Sequence, residues 1–572
     1  MDEDVGGETL LVQHSIYIKY DADGWKSLGD ASVHGFLQKV SRHLAQIGQG
    51  LPRNLFNKYE ESDVATDTSY VTTMVLPDKA MATAYSNAYF DHGNATCRYL
   101  PRDEIFRLLD ELYTTGSRIL QNHTEMAIIL LVLGTGYENS EKNKDSGLLI
   151  ADSYWQLCVS VCLFAQSVDS SAQTFKRLPF LHAAESRLLK VGKMFPPSLG
   201  GLQAQVLKCQ CELLLGRFNS AWMSLGWAVR LGQMIDFQKE PTVLLNQLDA
   251  FHKRRVFWAM FMIDRYLAVI LGRPMVINEK DITVTLSSEI NRTISSLIDS
   301  REKKLIVGTT AHYRLTRIIG KAASQLYPAA NRDPTAIEQI VFELEREMSD
   351  WLETTPKFFH PMESSTDDAQ EQLFDVPWIL KRQQRTVQAA FYFTNMLIYR
   401  GYLLWDFLRQ EPSQFHSEPP TERVIKCVDS ALSMIRLSAN FEVDEGKYNG
   451  TFWITSHFVF SAISILVVYL TLCQDSEDRS KIEQAVEDAM RFHRKLDNTA
   501  NISAQRLLDE SRSRAQIVQH IKTPTSSTRQ DPEPECFPTS TMMPEDGWIG
   551  VSDPGHVRKA TADGSVDPTD SD

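Results

Sequence analysis

The sequence predicts an all-α protein, a large multi-helix bundle with a disordered C-terminal tail. Apolar residues recur at helical spacing in successive stretches from about residue 101 onward, and turn residues separate these stretches. The chain shows no convincing run of strands, and no repeat of fixed period indicates a solenoid. From Thr523 onward the chain is rich in proline, serine, threonine and acidic residues, and such a composition buries too little apolar surface to fold.

Composition and charge restrict the class of protein. Of the 572 residues, 43% are hydrophobic and 23% are charged, which is typical of a globular chain. The formal net charge of −14 argues against broad nucleic-acid contact by the surface, because such contact requires clustered cations. The chain starts Met-Asp-Glu-Asp with no apolar core behind it, so we expect neither a secretory signal nor a transit peptide. The eight cysteines are sparse, and we expect reduced thiols inside the cell.

Three regions are expected along the chain. Residues 1–100 are predicted to be loop-rich, with a short helical signal in residues 36–44. Residues 101–505 are predicted to form the helical body, which begins at Pro101 because the missing N–H of proline costs little at a helix start. Residues 506–572 are predicted to form a disordered acidic tail. Its few apolar residues among acids resemble a weak activation segment, and an inert solvated tail is the alternative.

Within the helical body, the turn residues Gly134-Thr135-Gly136 could suggest a nucleotide-binding loop. They lack the third glycine of a dinucleotide fingerprint and no strand precedes them, so they predict the end of a helix. Further helices are predicted near residues 123–136, 147–166, 178–191, 201–215, 220–233, 246–271, 308–327, 334–354, 376–410, 420–440, 452–473 and 480–497.

The stretch Phe452–Cys473 contains no Asp, Glu, Lys or Arg and is long enough to cross a membrane. It also contains His457 and several hydroxyl residues, and no flanking Lys or Arg would set an orientation. Large helical proteins bury some helices on every side, and such helices have this composition. We therefore predict a buried core helix and no membrane contact.

Two patterns could indicate metal chemistry. Cys158 and Cys162 lie on one helix face, but no histidine or cysteine lies nearby at zinc-ligand spacing, so core packing is predicted. Asp367, Asp368 and Glu371 resemble the magnesium motif of a terpene cyclase. They lie in a polar stretch without a second metal motif, so a solvated loop is predicted. We therefore expect no catalytic residues, no metal and no cofactor.

The most informative stretch is Lys253–Leu286. From Val256 to Leu271 it is apolar around nearly the whole helix circumference, which predicts a buried helix. Asp264 and Arg265 interrupt it, and because adjacent helical residues point about 100° apart, each is expected to need a partner on another helix. The helix is predicted to end at Gly272 in a left-handed cap.

This stretch has two interpretations. It is either a structural charge network that fixes a central helix to its neighbours, or part of a pocket for a ligand or effector. In both cases Arg273 is expected to be extended because a proline follows it. The side chains predicted to be buried are Phe257, Trp258, Phe261, Met262 and Leu267.

These residues resemble the fungal-specific transcription factor domain, or middle homology region, which is typical of zinc-cluster regulators. The motif of that family is approximately three basic residues, then Phe-Trp, Asp-Arg, Gly-Arg-Pro and Asp-Ile. The chain contains, in this order, Lys253, Arg254, Arg255, Phe257, Trp258, Asp264, Arg265, Gly272, Arg273, Pro274, Asp281 and Ile282. The resemblance covers residues 100–500 approximately and is clearest between 200 and 290.

The chain departs from the family pattern at two places. The family reads DNA with a six-cysteine zinc cluster near the N-terminus, whereas the first two cysteines here are Cys97 and Cys158. The family also has a longer insert between the segments that correspond to 102–119 and 121–136. The sequence therefore indicates either a member without its own zinc cluster or one whose upstream module is omitted.

The resemblance implies a regulator of transcription in a fungal nucleus, which acts through its helical domain on a metabolic or secondary-metabolite gene set. It implies no enzymatic activity. The implied partners are a DNA-binding regulator and a small-molecule effector, with DNA contacted only indirectly or through an omitted N-terminal module. Two alternatives are a small-molecule-binding helical protein without a role in transcription and an all-α enzyme resembling a terpene cyclase.

Overall fold

The computed structural model is a bundle of α-helices over the residues that it describes, and it confirms the all-α prediction for them. These residues are 15–19, 25–29, 31–46, 76–93, 95–115, 117–141, 198–214, 217–240, 247–286, 300–327, 334–361, 377–408, 421–445, 453–472, 478–493 and 509.

Several predictions lie outside the described residues. They concern the helices near 147–166 and 178–191 and the tail 506–572, of which Asp509 alone is described. The two cysteines predicted to pack in the core, Cys158 and Cys162, also lie outside the described residues. So do the acids of the predicted solvated loop, Asp367, Asp368 and Glu371. The chain divides into two units, and the second, Lys522–Asp572, falls wholly within the region that is not described.

One small hairpin departs from the helical pattern. Strand β1 (Ser15–Lys19) pairs antiparallel with β2 (Trp25–Gly29), and in this register Ser15 lies opposite Gly29. The hairpin precedes helix α1 (Val33–Gln46). Within residues 1–100, α1 is followed by a second helix, α2 (Lys79–Ala88).

Both of these early helices pack into the main core. Val33, Phe36 and Leu37 of α1 are buried in the same apolar cluster as the rest of the helical body. Asp78 begins α2 as an N-cap, since its carboxylate accepts a hydrogen bond of 2.8 Å from the amide N–H of Met81. The described part of the N-terminal region is therefore continuous with the helical body in packing.

Twelve further α-helices follow in the described residues. They are α3 (Arg102–Thr114), α4 (Ser117–Gln121), α5 (His123–Glu141), α6 (Leu199–Leu214), α7 (Phe218–Met234), α8 (Gln247–Leu271), α9 (Ser300–Leu326), α10 (Pro334–Thr354), α11 (Trp378–Leu408), α12 (Glu422–Glu445), α13 (Trp453–Leu472) and α14 (Arg479–His493).

Helix α8 lies at the centre of the bundle. Every residue from Arg255 to Leu271 is buried, because α6, α7 and α9 all pack against this helix. This confirms the prediction that an apolar circumference indicates a buried helix. The five side chains predicted to be buried are all at most 5% exposed, namely Phe257, Trp258, Phe261, Met262 and Leu267.

Helix α13 passes the composition test for a membrane span. The segment Ile454–Leu472 has a mean hydropathy of 1.8, and 89% of it is buried inside the protein. It packs against α11, α12 and α14, and α1 also contacts it. The prediction of a buried core helix is confirmed, since neighbouring helices cover this apolar surface in the structure.

The prediction that Gly134-Thr135-Gly136 ends a helix is wrong, because α5 continues to Glu141. The reason is a close crossing of α2 over α5. A Cβ atom on Gly136 would lie 1.8 Å from the backbone oxygen of Tyr85, so only glycine permits this approach. Tyr137, the next residue, packs edge-to-face on the Tyr85 ring with 5.4 Å between ring centroids. Gly136 therefore serves helix packing.

We expect Gly136→Ala to lower the free energy of unfolding by about 1–3 kcal/mol or more, because α2 and α5 must move apart. Gly401→Ala is the matched control, since Gly401 is exposed within α11 and an added Cβ would meet nothing within 4 Å. We expect this control to be neutral or stabilising by up to about 1 kcal/mol. Urea denaturation measures both, and equal effects would contradict the packing argument.

Candidate functional site

A buried carboxylate organises the chain where α8 ends. After α8 the chain turns back along the helix as residues 272–286, here called the return segment. Oδ1 of Asp264 accepts a hydrogen bond of 3.0 Å from the amide N–H of Val276, and Oδ2 accepts one of 3.1 Å from that of Ile277. Burial raises the pKa of Asp264, while Arg265 and these two amide groups act in the opposite direction. Asp264 therefore fixes the return segment to the middle of α8.

Arg265 is the charge partner of Asp264. Its Nη1 donates a hydrogen bond of 2.5 Å to Asp264 Oδ2, and its guanidinium lies 3.9 Å from the ring centroid of Phe261. Burial lowers the pKa of Arg265. A Cβ on Gly320 of α9 would lie 2.9 Å from Arg265 Nε, so that glycine leaves the space that the arginine fills. Nη2 also lies 4.0 Å from Glu279 Oε1 in the return segment.

The prediction that each of these charges needs a partner on another helix is wrong for Asp264. Its partners are its own neighbour Arg265 and two backbone amides of the return segment. The Cβ atoms of adjacent residues diverge on a helix, but the arginine side chain is long enough to fold back over Phe261 and reach the carboxylate.

Two further contacts fix the far end of the return segment. Trp258 Nε1 donates a hydrogen bond of 3.0 Å to the carbonyl oxygen of Thr285. The carboxylate of Glu240 accepts from the Thr285 amide at 2.9 Å and pairs with the guanidinium of Arg254. The motif residues Arg254, Trp258 and Asp264 thus contact or anchor one segment at successive points along α8.

Arg255 belongs to a second charge cluster, on a different side of α8. Its Nη2 donates to Glu302 Oε1 of α9 at 2.7 Å, and Arg98 donates to Glu302 Oε2 at 3.0 Å. Arg255 Nε also donates to the backbone oxygen of Arg98 at 2.5 Å. Burial alone would raise the pKa of Glu302, but the two arginines lower it to about 2. This cluster joins α8, α9 and the segment before α3.

The Gly-Arg-Pro corner is built as predicted at its glycine. Gly272 has a φ of 64°, and the amide of Arg273 donates to Ala268 O at 3.0 Å, which is the hydrogen bond of a Schellman cap. Arg273 Nη2 donates to Asn219 Oδ1 of α7 at 2.5 Å, so the corner is tied to α7. Pro274 is exposed.

Asp281 is not brought to the other motif residues. It lies in a short 3₁₀ turn, Glu279–Asp281, and its side chain is exposed. Phe257 takes part in the core alone, where its ring packs edge-to-face on Trp258 at 5.3 Å between centroids. The motif residues therefore have different roles. Some anchor the return segment, some form the corner after α8, some pack in the core, and Asp281 is exposed.

A small cavity of about 70 Å³ with a mixed polar and apolar lining lies between α8 and α9, where Met262, Tyr266 and His312 line it. Across its wall Tyr266 OH and His312 Nε2 are 2.5 Å apart, and His312 Nδ1 is 2.8 Å from Thr96 Oγ1. Burial lowers the pKa of His312 to about 3, so the imidazole is neutral at physiological pH. Tyr266 and His312 thus form a neutral hydrogen-bonded pair between α8 and α9.

Sequence reasoning missed several members of these clusters, namely Arg98, Glu302, Tyr266 and His312. Arg98 and Glu302 are 204 positions apart, and neither stands in a local pattern that differs from a surface charge. Among the described residues, no group of three His, Cys, Asp or Glu side chains could hold a metal ion.

Residues 87–354 match the profile of the family described as fungal specific transcription factor domain. The chain is 21% identical over 433 residues to "Activator of stress genes 1" of Saccharomyces cerevisiae, covering 73% of this chain and 41% of that protein. It is 20% identical over 487 residues to "Transcriptional activator protein acu-15" of Neurospora crassa, covering 82% of this chain and 46% of that protein.

A shorter match links the chain to "Pigment biosynthesis transcriptional activator pigB" of Monascus ruber. The two are 27% identical over 147 residues, which cover 23% of this chain and 26% of that protein. The chain spans less than half the length of each of these three relatives.

We expect Asp264→Ala to lower the free energy of unfolding by about 3–5 kcal/mol, because Arg265 would stay buried without its counter-charge. A second change, Arg265→Met, should restore part of that loss by removing the unpaired charge. Asp488→Ala is the control, since it removes an exposed ion pair of 3.0 Å to Arg491 and should cost less than about 1 kcal/mol. Similar losses for Asp264→Ala and Asp488→Ala would refute the assigned role.

The Glu302 cluster predicts a pH dependence. The folded-state pKa of about 2 lies below the unfolded value near 4.5, so the stabilisation is present above pH 4.5 and is lost as pH falls towards 2. We expect Glu302→Gln to be less stable than the wild type by about 3 kcal/mol at pH 7. The difference should shrink between pH 4.5 and 2 in guanidinium titrations.

The exposed Glu353 supplies a matched control, since Glu353→Gln removes the same charge from the surface of α10. We expect this variant to follow the wild type at every pH. A Glu302→Gln deficit that stayed constant from pH 7 to pH 2.5 would rule out the proposed ionic cause.

Proposed function

We propose that the chain, in which residues 87–354 match the fungal specific transcription factor domain, regulates transcription in a fungal nucleus. We further propose that it acts through the helical body and catalyses no reaction. The relatives named as an activator of stress genes and as a transcriptional activator support the proposal. The observation that carries it is that the family match, residues 87–354, contains α8, the return segment and both charge clusters.

The basic triplet at the start of the motif is not a phosphate-binding patch. Lys253 donates to the backbone oxygen of Asp236 at 3.2 Å, Arg254 pairs with Glu240, and Arg255 pairs with Glu302. All three cations are thus engaged inside the protein, and the whole chain carries a net charge of −14. These contacts favour a regulator that reaches DNA through a partner or through a module outside residues 1–572.

The gene set is proposed to be metabolic or secondary-metabolic. The pigment-biosynthesis activator among the relatives supports this choice. The terpene-cyclase alternative has no support in the described residues, since the acids on which it depends lie outside them. The alternative of a small-molecule-binding helical protein without a role in transcription is disfavoured by the family match over residues 87–354.

We expect the whole chain, tethered to a heterologous DNA-binding domain in a fungal host, to change expression of a reporter with operators for that domain. The tethered domain alone and a reporter without operators are the controls. A fluorescent fusion of the untethered chain should accumulate in the nucleus. An unchanged reporter together with exclusion of the fusion from the nucleus would overturn the proposal.

We expect the purified chain alone to show no sequence-selective shift of duplex DNA at physiological salt, because its described basic triplet is occupied by intramolecular partners. A genomic DNA library offered in a selection experiment is the appropriate probe. Enrichment of one sequence motif by the chain alone would contradict the proposed dependence on a partner or further module.

A further inference from the structure

An open groove of about 570 Å³ lies between the middle of α9, the return segment and the end of α10, and is called here the α9 groove. Its floor is one face of α9, since Val307, Thr310, Arg314 and Arg317 recur at spacings of three and four residues. Its volume is of the size that holds a small organic molecule.

Two buried hydroxyl groups in this groove have no hydrogen-bond partner among the residues that the structure describes. Thr310 and Thr355 are each 6% exposed, and neither Oγ1 atom makes a hydrogen bond. Most threonines on helices satisfy the hydroxyl by donating to the backbone four residues earlier, as Thr309 does to Leu305 O at 2.9 Å. A buried hydroxyl without a partner costs about 1–3 kcal/mol, so an acceptor atom that reached these two groups would relieve that cost.

Arg314 adds a guanidinium without a direct hydrogen-bond or ion-pair contact to the same groove. It is half-buried, and no hydrogen bond or ion pair within 4.0 Å engages it among the described residues. Burial lowers the pKa of Arg314, and the charge of Asp350 opposes this effect from a distance. Arg317, by contrast, has an ion-pair partner, since its Nε lies 3.6 Å from Glu279 Oε1. Among the described residues, the groove therefore presents the Arg314 guanidinium beside two hydroxyls that have no hydrogen-bond partner.

The opposite wall contains apolar and aromatic side chains beside the polar residues Glu279, Thr283 and Thr285. Trp258, Ile282, Val284 and Leu286 line it, and Trp258 is held in place by its hydrogen bond to Thr285. Val307 on the floor is 37% exposed, so apolar surface remains open inside the groove. An occupant would need a polar, anionic end for Arg314 and the hydroxyls and an apolar body for this wall.

We propose that the α9 groove binds a small organic carboxylate with an apolar or aromatic body. The carboxylate accepts hydrogen bonds from the Arg314 guanidinium and from the Thr310 and Thr355 hydroxyls, and the body packs against Trp258. A ligand bound there would contact the return segment directly, because this segment forms one wall of the groove. The binding of the carboxylate does not depend on the proposed function, whereas its interpretation as effector binding rests on the proposed function.

The test uses the purified full chain and two aromatic probes of the same shape, 2-naphthoate and 2-naphthamide. We expect saturable binding of 2-naphthoate by calorimetry and at least about tenfold weaker binding of the neutral amide, which corresponds to one charge-assisted hydrogen bond. Arg314→Gln should weaken 2-naphthoate binding by about tenfold for the same reason. Arg346→Gln, an equal charge change on the exposed face of α10, should leave it unchanged.

Thr310→Val keeps the shape of the side chain and removes the unpaired hydroxyl. We expect the ligand-free variant to be at least as stable as the wild type to urea, because an unsatisfied buried group is removed. The same variant should bind 2-naphthoate more weakly. Equal binding of the acid and the amide, or wild-type affinity in both Arg314→Gln and Thr310→Val, would overturn the proposal.

Binding and reporter experiments separate this inference from the proposed function. If 2-naphthoate did not bind but the tethered chain changed reporter expression, the proposal of a ligand site in the groove alone would be overturned. Specific 2-naphthoate binding alongside a silent reporter and a non-nuclear chain would uphold the groove and overturn the role in transcription.

Discussion

The structure depends on a carboxylate buried inside its central helix. Asp264 is 2% exposed, and it accepts hydrogen bonds from one guanidinium and from two backbone amides of the segment that follows the helix. Such a group is stable in the interior only when its charge is paired and hydrogen-bonded, because an unpaired buried charge costs several kcal/mol. The requirement therefore determines the path of the return segment as well as the position of Arg265.

The basic residues at the start of the motif make contacts within the protein. Three consecutive cations in a sequence normally suggest a surface that meets an anionic partner. Here each lies against a different internal acceptor, and the longest link joins Arg255 and Arg98 through Glu302 on α9. These charges hold helices together, and this use agrees with the acidic balance of the whole chain.

The charge clusters and the groove are connected through the same residues. Trp258 of α8 is buried in the protein core. It donates a hydrogen bond to Thr285 of the return segment and forms part of the groove wall. Glu279 lies between Arg265, which pairs with Asp264, and Arg317 on the groove floor. A molecule in the groove would therefore contact the segment that Asp264 holds in place. A ligand in the groove would thus act on the central helix through a short chain of contacts.

The sequence by itself determined the helical class, the burial of α8 and α13 and the left-handed cap at Gly272. These features follow from local periodicity and from the steric freedom of glycine, which neighbouring residues suffice to define. Tertiary structure alone decided that α5 continues through Gly136, because the close approach of Tyr85 comes from a separate helix. It also decided that Asp264 pairs with Arg265 and that Glu302 joins two arginines, since the direction of a long side chain depends on which neighbours leave space for it.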